Sequence, residues 1–214
     1  MINEIAAAVP KDLLKEPGAV FQSGPAAFTR GAKVYLLGAA PLGATGSVAD
    51  NLKTAKAAPQ DWSDYTHGTW DGKAPGAAPI QRRVRHILDR LGVSAAQCPS
   101  STLLFTSAKA AAKQRAALTE VCWPVHEKAL ALIKPRSVIC FGAGTADQLL
   151  KRLPAHRLVA TFTEDNKRGS ASRAYRVEGG LLVFALSNPA ASNWANPDCD
   201  PAPMMRPLLA GLAA

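Results

Sequence analysis

Short runs of apolar residues predict the strands of a central sheet. Residues 32–38, AKVYLLG, have the length and the aromatic and β-branched content of a buried strand. Residues 101–107 and 137–142 follow the same pattern. Residues 172–187 predict a two-stranded hairpin, because Glu178-Gly179-Gly180 separates two strand-like runs with a turn sequence.

Helical periodicity alternates with these strands. The predicted helices are residues 79–92, residues 113–133 with a break near Pro124, residues 145–153 and residues 201–212. This alternation predicts an α/β fold, a three-layer α/β/α sandwich with a mainly parallel central sheet, formed by one domain over residues 1–214. Ligands of such sheets bind beyond the carboxyl ends of the strands.

A long irregular stretch, at about residues 39–78, follows the first predicted strand. It is rich in Gly, Pro, Ala and Asp, and it contains Trp62, Tyr65, His67 and Trp70. A loop of this length inside a compact domain is usually functional. A disordered insertion is the alternative, and the aromatic and imidazole side chains argue against it.

The composition is that of a globular protein with an excess of positive charge. Of 214 residues, 48% are hydrophobic and 19% are charged, which excludes wholesale disorder. The formal net charge of +9 is typical of a domain that binds a polyanion such as nucleic acid, although charge alone leaves an ordinary basic protein equally open. No apolar run approaches the length of a membrane span, and no secretory signal is visible. Four scattered cysteines without a CxxC pair indicate a reduced, cytoplasmic protein.

Two glycine-rich turns are candidates for phosphate or nucleotide binding. Residues 36–47 run from a strand into a Gly/Pro turn in which Gly38 and Gly43 permit close backbone approach, but no GK[ST] of a P-loop follows. Residues 141–150 contain a strand, a GxG turn and a helix, but Asp147 stands where a dinucleotide fingerprint has its third glycine.

Four motifs in order are similar to those of the uracil-DNA glycosylase superfamily. The turn Gly38-Ala39-Ala40-Pro41 resembles the Gly-x-x-Pro turn after that family's first core strand. Thr106 matches the polar residue that reads the base edge. Residues 122–150 resemble the helix, strand, glycine and helix that follow. Residues 186–194, LSNPAASNW, resemble the last motif, which inserts into DNA. The resemblance covers roughly residues 33–195, and it implies the glycosylase fold.

The departures from the family place the chain nearest its thermophile-type and mismatch-specific branches. Ala40 stands where many members carry the Asp or Asn that positions water, and Asn188 stands where most carry histidine. Cys122 matches a ligand of the iron–sulfur branches, but the early CxxC of those branches is missing. We therefore expect no cluster, no metal and no other cofactor, and we interpret Cys122 as a core cysteine.

The resemblance implies a monofunctional DNA glycosylase, a hydrolase of base excision repair that flips uracil or a related deaminated or damaged base out of DNA and cuts its N-glycosidic bond. The candidate catalytic residues are Asn188, Asp64, Asp71 and His67. The candidate base-binding residues are Gly38, Ala39, Ala40, Pro41, Tyr65, Trp70 and Thr106. The candidate DNA-binding residues are Gly43, Lys109, Ser187, Ser192, Asn193 and Trp194, with Trp194 as a wedge into the gap left by the base.

Each of these candidates has a simpler alternative. Asp64 and Asp71 also fit solvated loop acids, His67 a loop cap, Tyr65 and Trp70 ordinary packing residues, and Asn188 a turn residue. The expected partner is DNA, and a monomer is the default. Two other functions stay open: a catalytically silent member of the same fold that binds DNA or a nucleotide, and a nucleotide-binding or oxidoreductase domain built on the GAG turn.

Overall fold

A six-stranded mixed sheet organises the chain in the computed structural model, which describes residues 1–42, 46–106 and 112–212. The strands are β1 Tyr35–Gly38, β2 Ser100–Thr102, β3 Ser137–Phe141, β4 His156–Thr163, β5 Ala171–Val177 and β6 Leu182–Leu186. Their order across the sheet is β2-β1-β3-β6-β5-β4. Strands β2, β1, β3 and β6 are mutually parallel. At one side of the sheet, β5 pairs antiparallel with β6, and β4 pairs antiparallel with β5.

Helices cover both faces of this sheet. They are α1 Ile2–Ala6, α2 Val48–Ala57, α3 Asp64–His67, α4 Pro79–Arg90, α5 Ala112–Ile133, α6 Ala143–Leu150 and α7 Ala202–Ala210. Successive strand residues pack on opposite faces: Val138 and Cys140 contact the side that carries α5 and α6, while Ile139 and Phe141 contact the side that carries α4 and α7. This alternation is the period of two that a strand imposes, and it confirms the three-layer α/β architecture.

The hairpin was predicted correctly, and the strand that pairs with it was missed. β5 and β6 are antiparallel neighbours on either side of the turn at Glu178-Gly179-Gly180. β4 also pairs with β5, from His156 opposite Val177 to Thr163 opposite Ala171. β4 lies at the edge of the sheet with mostly exposed or half-buried side chains, so it lacks the apolar run that marks the inner strands.

Two further predictions about elements were wrong. α5 continues through Pro124 without a break. The free energy gained by packing its buried face, with Cys122, Val125 and Ala129, on the sheet outweighs the cost of the backbone hydrogen bond that proline cannot make. The stretch at residues 39–78 is not wholly irregular, since it contains α2 and α3. Within the described ranges, no helix has both the length and the apolar character needed to cross a bilayer.

Candidate functional site

A cavity of about 560 Å³ opens at the carboxyl ends of the parallel strands. Four separate parts of the chain contribute to it: the segment before β1, the turn after β1 with the α2–α3 region, the ends of β2 and β3, and the loop after β6. Its lining includes Gln22, Gly38, Ala39, Ala40, Pro41, Asp64, Tyr65, Trp70, Thr102, Phe141 and Asn188. The volume is in the range of pockets that enclose small organic ligands.

The turn after β1 forms one side of the cavity. The carbonyl oxygens of Gly38 and Ala39 accept hydrogen bonds from Leu103 N, at 2.7 Å, and Leu104 N, at 3.1 Å. A Cβ atom at Gly38 would lie 3.2 Å from Cγ2 of Thr102, so the absence of a side chain lets β1 and β2 approach closely at this point. The predicted base-binding residues Gly38, Ala39, Ala40 and Pro41 therefore lie together in the lining.

Thr106, by contrast, does not belong to the lining. β2 ends at Thr102. Thr106, four residues later, forms an isolated antiparallel bridge with Gly18. Thr102 is the strand-end threonine in the cavity, where its Oγ1 donates to Ala19 O at 3.1 Å. The prediction extended the strand beyond Thr102, because Leu103, Leu104 and Phe105 continue the apolar run after the pairing with β1 has ended.

Three aromatic side chains form an apolar wall. Tyr65 makes edge-to-face contacts with Trp70, at 5.5 Å between ring centroids, and with Phe141, at 6.5 Å. All three are buried and contribute to the cavity lining. Tyr65 and Trp70 were predicted there. Phe141 was missed, although its place at the end of a predicted strand was a usable signal.

Asp64 is the predicted acid that the fold brings into the cavity, and Asp50, in the first turn of α2, also contributes to the lining. Asp64 is the first residue of α3, whose N-cap is Ser63, and its Oδ2 accepts a hydrogen bond from Trp70 Nε1 at 3.1 Å. Burial raises the pKa of Asp64, and the Trp70 N–H partly offsets this effect by favouring the charged form. A Cβ at Gly68 would lie 1.9 Å from Asp64 Oδ1, so a glycine is needed beside the carboxylate.

The other two candidates from this stretch, Asp71 and His67, lie outside the cavity lining. Asp71 is exposed in a turn, with a positive φ of 53°. His67 is exposed at the end of α3, and its Nδ1 lies 2.9 Å from Thr66 Oγ1. Both residues were predicted from proximity along the chain, but neither contributes to the lining, although Thr69 and Trp70, which lie between them in sequence, do.

Asn188 lies at the cavity, two residues beyond the end of β6. Its side chain is exposed, and Oδ1 accepts a hydrogen bond from Ala190 N at 2.9 Å. Its carbonyl oxygen accepts from the N–H groups of Ala191 and Ser192, both at 2.9 Å. Asn188 thus stabilises the turn and also contributes to the lining.

The remaining residues of the last motif support this loop from inside. Trp194 is 0% exposed, packs against Phe141 and donates from Nε1 to Ser187 Oγ at 3.0 Å. Ser192 Oγ donates to Glu164 Oε1 at 2.6 Å. The prediction of Trp194 as a wedge into DNA was wrong, because the loop folds back onto the sheet and buries this side chain. The hydroxyls of Ser187 and Ser192 are buried too, and each forms a hydrogen bond inside the protein.

Charged side chains clamp the same loop. Arg83 donates from Nη1 to Pro189 O at 2.5 Å and from Nε to Asn193 Oδ1 at 3.3 Å, and Arg168 Nη1 donates to Ala191 O at 2.8 Å.

Burial alone would raise the pKa of Glu164, but hydroxyl and amide donors around it bring that pKa below its ordinary value. Asn193 is exposed, as a DNA contact requires. Gly43 and Lys109 lie outside the described residues.

The residues considered for a metal or a dinucleotide, Cys122 and the GxG residues 142–144, lie outside the cavity lining. Among the described residues, no group of three or more His, Cys, Asp or Glu side chains could hold a metal ion. Cys122 is buried and free, and burial raises its pKa to about 11, as for a core cysteine. Residues 142–144, predicted as a GxG turn, are the N-cap and the first two residues of α6, and they lie outside the cavity lining. Comparison with protein-family models and with curated proteins gives no match to this chain.

Proposed function

We propose that the protein is a DNA glycosylase that takes uracil or a related deaminated or damaged base into this cavity and hydrolyses its N-glycosidic bond. One observation carries the proposal: a single cavity collects the Gly38–Pro41 turn, the acid Asp64, the aromatic wall and the amide of Asn188. These groups come from distant parts of the chain and meet at the edge of the sheet where such folds bind ligands. The resemblance in motif order supports the same fold family.

The cavity offers the three things that base excision needs. The aromatic wall of Tyr65, Trp70 and Phe141 suits a planar heterocycle. The side-chain amino group of Asn188 is a donor for a base carbonyl, because only the Oδ1 of that side chain is used in the turn. Asp64 supplies a carboxylate in the cavity lining for the reacting sugar and water, which the side chain of Ala40 cannot provide.

In the proposed reaction, the bond between the base and C1′ breaks and its electrons leave with the base. Asn188 stabilises the negative charge that grows on the base carbonyl. The carboxylate of Asp64 stabilises the positive charge on the sugar and accepts a proton from the water that adds to C1′. The departing base anion then takes up a proton, so that free base and an abasic site are the products.

The charge supports a polyanionic substrate. The net charge of +9 and the arginines that clamp the loop after β6 favour DNA at the cavity mouth, with affinity that falls steeply as salt rises. The test is excision from fluorescent oligonucleotides that carry uracil or other lesions, in single and double strands, followed by alkali and heat to cut abasic sites. Cleavage products are expected in single-turnover reactions with excess protein.

A catalytically silent base-binding protein is the second candidate, and Ala40 is the observation that favours it. The turn contributes an alanine to the cavity where a water-positioning side chain would lie in an active relative. Salt-sensitive oligonucleotide binding without any abasic product would select this second function. No binding at low salt and no cleavage of any lesion would reject both candidates.

A further inference from the structure

A buried carboxamide in the cavity has no role so far. Gln22, in the segment before β1, is 4% exposed and contributes to the lining. Its backbone is held firmly: its N–H donates to Ser100 O at 3.1 Å, and its carbonyl accepts from Asp64 N at 2.8 Å. Gln22 is therefore tied both to β2 and to the residue proposed to assist the reaction.

The side chain of Gln22 is incompletely paired. Its Oε1 accepts one long hydrogen bond, 3.4 Å from Ser100 Oγ, and none of the described residues accepts from its Nε2. Two other carboxamides, those of Gln81 and Asn51, have both the oxygen and the nitrogen paired. Gln81 accepts from Ala78 N and donates to two carbonyls, and Asn51 bridges the backbone of Val20 and Phe21. An amide donor that opens onto a cavity without a protein partner is available to a ligand.

We propose that Gln22 is the residue that reads the edge of the bound base, an inference that rests on the proposed function. Its Nε2 donates to a ring carbonyl, and the second lone pair of Oε1 accepts from the adjacent ring N–H. Deaminated bases such as uracil present this lactam edge. With Oε1 on the side of Ser100 Oγ, the amino group of cytosine would meet the Nε2 amide group donor to donor.

The test measures binding of free bases to the intact protein by calorimetry. The probes are uracil, 3-methyluracil, which lacks the ring N–H, and cytosine. The wild type is expected to bind uracil about 10- to 100-fold more tightly than the other two, the discrimination of a good bidentate pair. Gln22→Met, similar in size but without the amide, should bind all three equally weakly. Gln97→Met, at an exposed glutamine, is the matched control.

Equal affinity of the wild type for uracil and 3-methyluracil would overturn the proposal, and so would an undiminished preference in Gln22→Met. Absence of measurable base binding counts against it as well. If Gln22→Met does not fold, Gln22→Glu with its carboxylate ionised keeps the shape and the acceptor, loses the amide donor and adds a negative charge, so it should lose the uracil preference.

Excision assays on the same proteins separate this inference from the proposed function. A wild type that prefers uracil but excises no base rejects the glycosylase and retains Gln22 as the base reader. A wild type that excises uracil, with Gln22→Met showing unchanged rate and base preference, rejects the role of Gln22 and retains the glycosylase.

Discussion

Asn188 combines a structural and a chemical role that two substitutions can separate. Its Oδ1 accepts from Ala190 N, and its Nδ2 is the proposed donor to the departing base. Asn188→Ala removes both groups. Asn188→Asp keeps an oxygen for the turn and removes the donor. We expect both variants to lose excision and only the alanine variant to lose stability.

The sizes of the two effects differ enough to be resolved. One exposed hydrogen bond contributes about 1 kcal/mol to folding, which shifts the Tm of a protein of this size by roughly 2–4 °C. A domain with about 5 kcal/mol or more of stability stays more than about 99% folded after such a loss. Loss of a donor to a developing anion costs about 3 kcal/mol of activation free energy, or on the order of a hundredfold in rate. Destabilisation therefore cannot account for the expected loss of activity.

The assay is single-turnover excision of a uracil oligonucleotide, with Tm and DNA affinity measured on the same preparations. Asn196→Ala is the matched control, because Asn196 is exposed, lies outside the cavity lining, and its Oδ1 accepts from a backbone N–H two residues farther on, Asp198 N, as that of Asn188 does. It should keep near-normal excision. Wild-type turnover in folded Asn188→Asp would refute the catalytic role, as would a loss in Asn188→Ala that only follows the folded fraction.

Three further predictions test other parts of the structure. Asp64→Asn should lower excision by on the order of a hundredfold. Because burial raises the folded-state pKa of Asp64, the wild type loses stability as pH rises through that pKa. The variant should therefore have a higher Tm than wild type at neutral pH and no advantage in acid. Trp194→Ala should lower the free energy of unfolding by about 3–5 kcal/mol, the usual cost for a buried tryptophan, while the folded fraction binds DNA normally; reduced DNA affinity in a stable protein would restore the wedge hypothesis. Burial lowers the pKa of His126 from its ordinary value of 6.5 to about 4. The free energy of unfolding should therefore fall by up to about 3 kcal/mol as pH falls from above 6.5 toward 4, as measured by denaturant titrations. His126→Gln should flatten this pH dependence.

The inner sheet and its turns were predictable because their signals are local. β1, β3 and β6 are buried on both faces, so each appears as a continuous apolar run. The Glu178-Gly179-Gly180 turn is specified by the positive φ that its two glycines adopt. β4 gave no such signal, because an edge strand is held by the backbone of its neighbour and not by its own apolar side chains.

The sequence by itself also determined where along the chain the site residues lie. Residues that directly follow parallel strands meet at one edge of the sheet, which is why Gly38–Pro41 and Asn188 could be predicted together. Only the tertiary structure decided which other side chains join them: Asp64 and not Asp71, Gln22 as a lining residue, and Trp194 in the core against Phe141. Burial depends on contacts between segments far apart in the chain, and a local pattern does not contain that information.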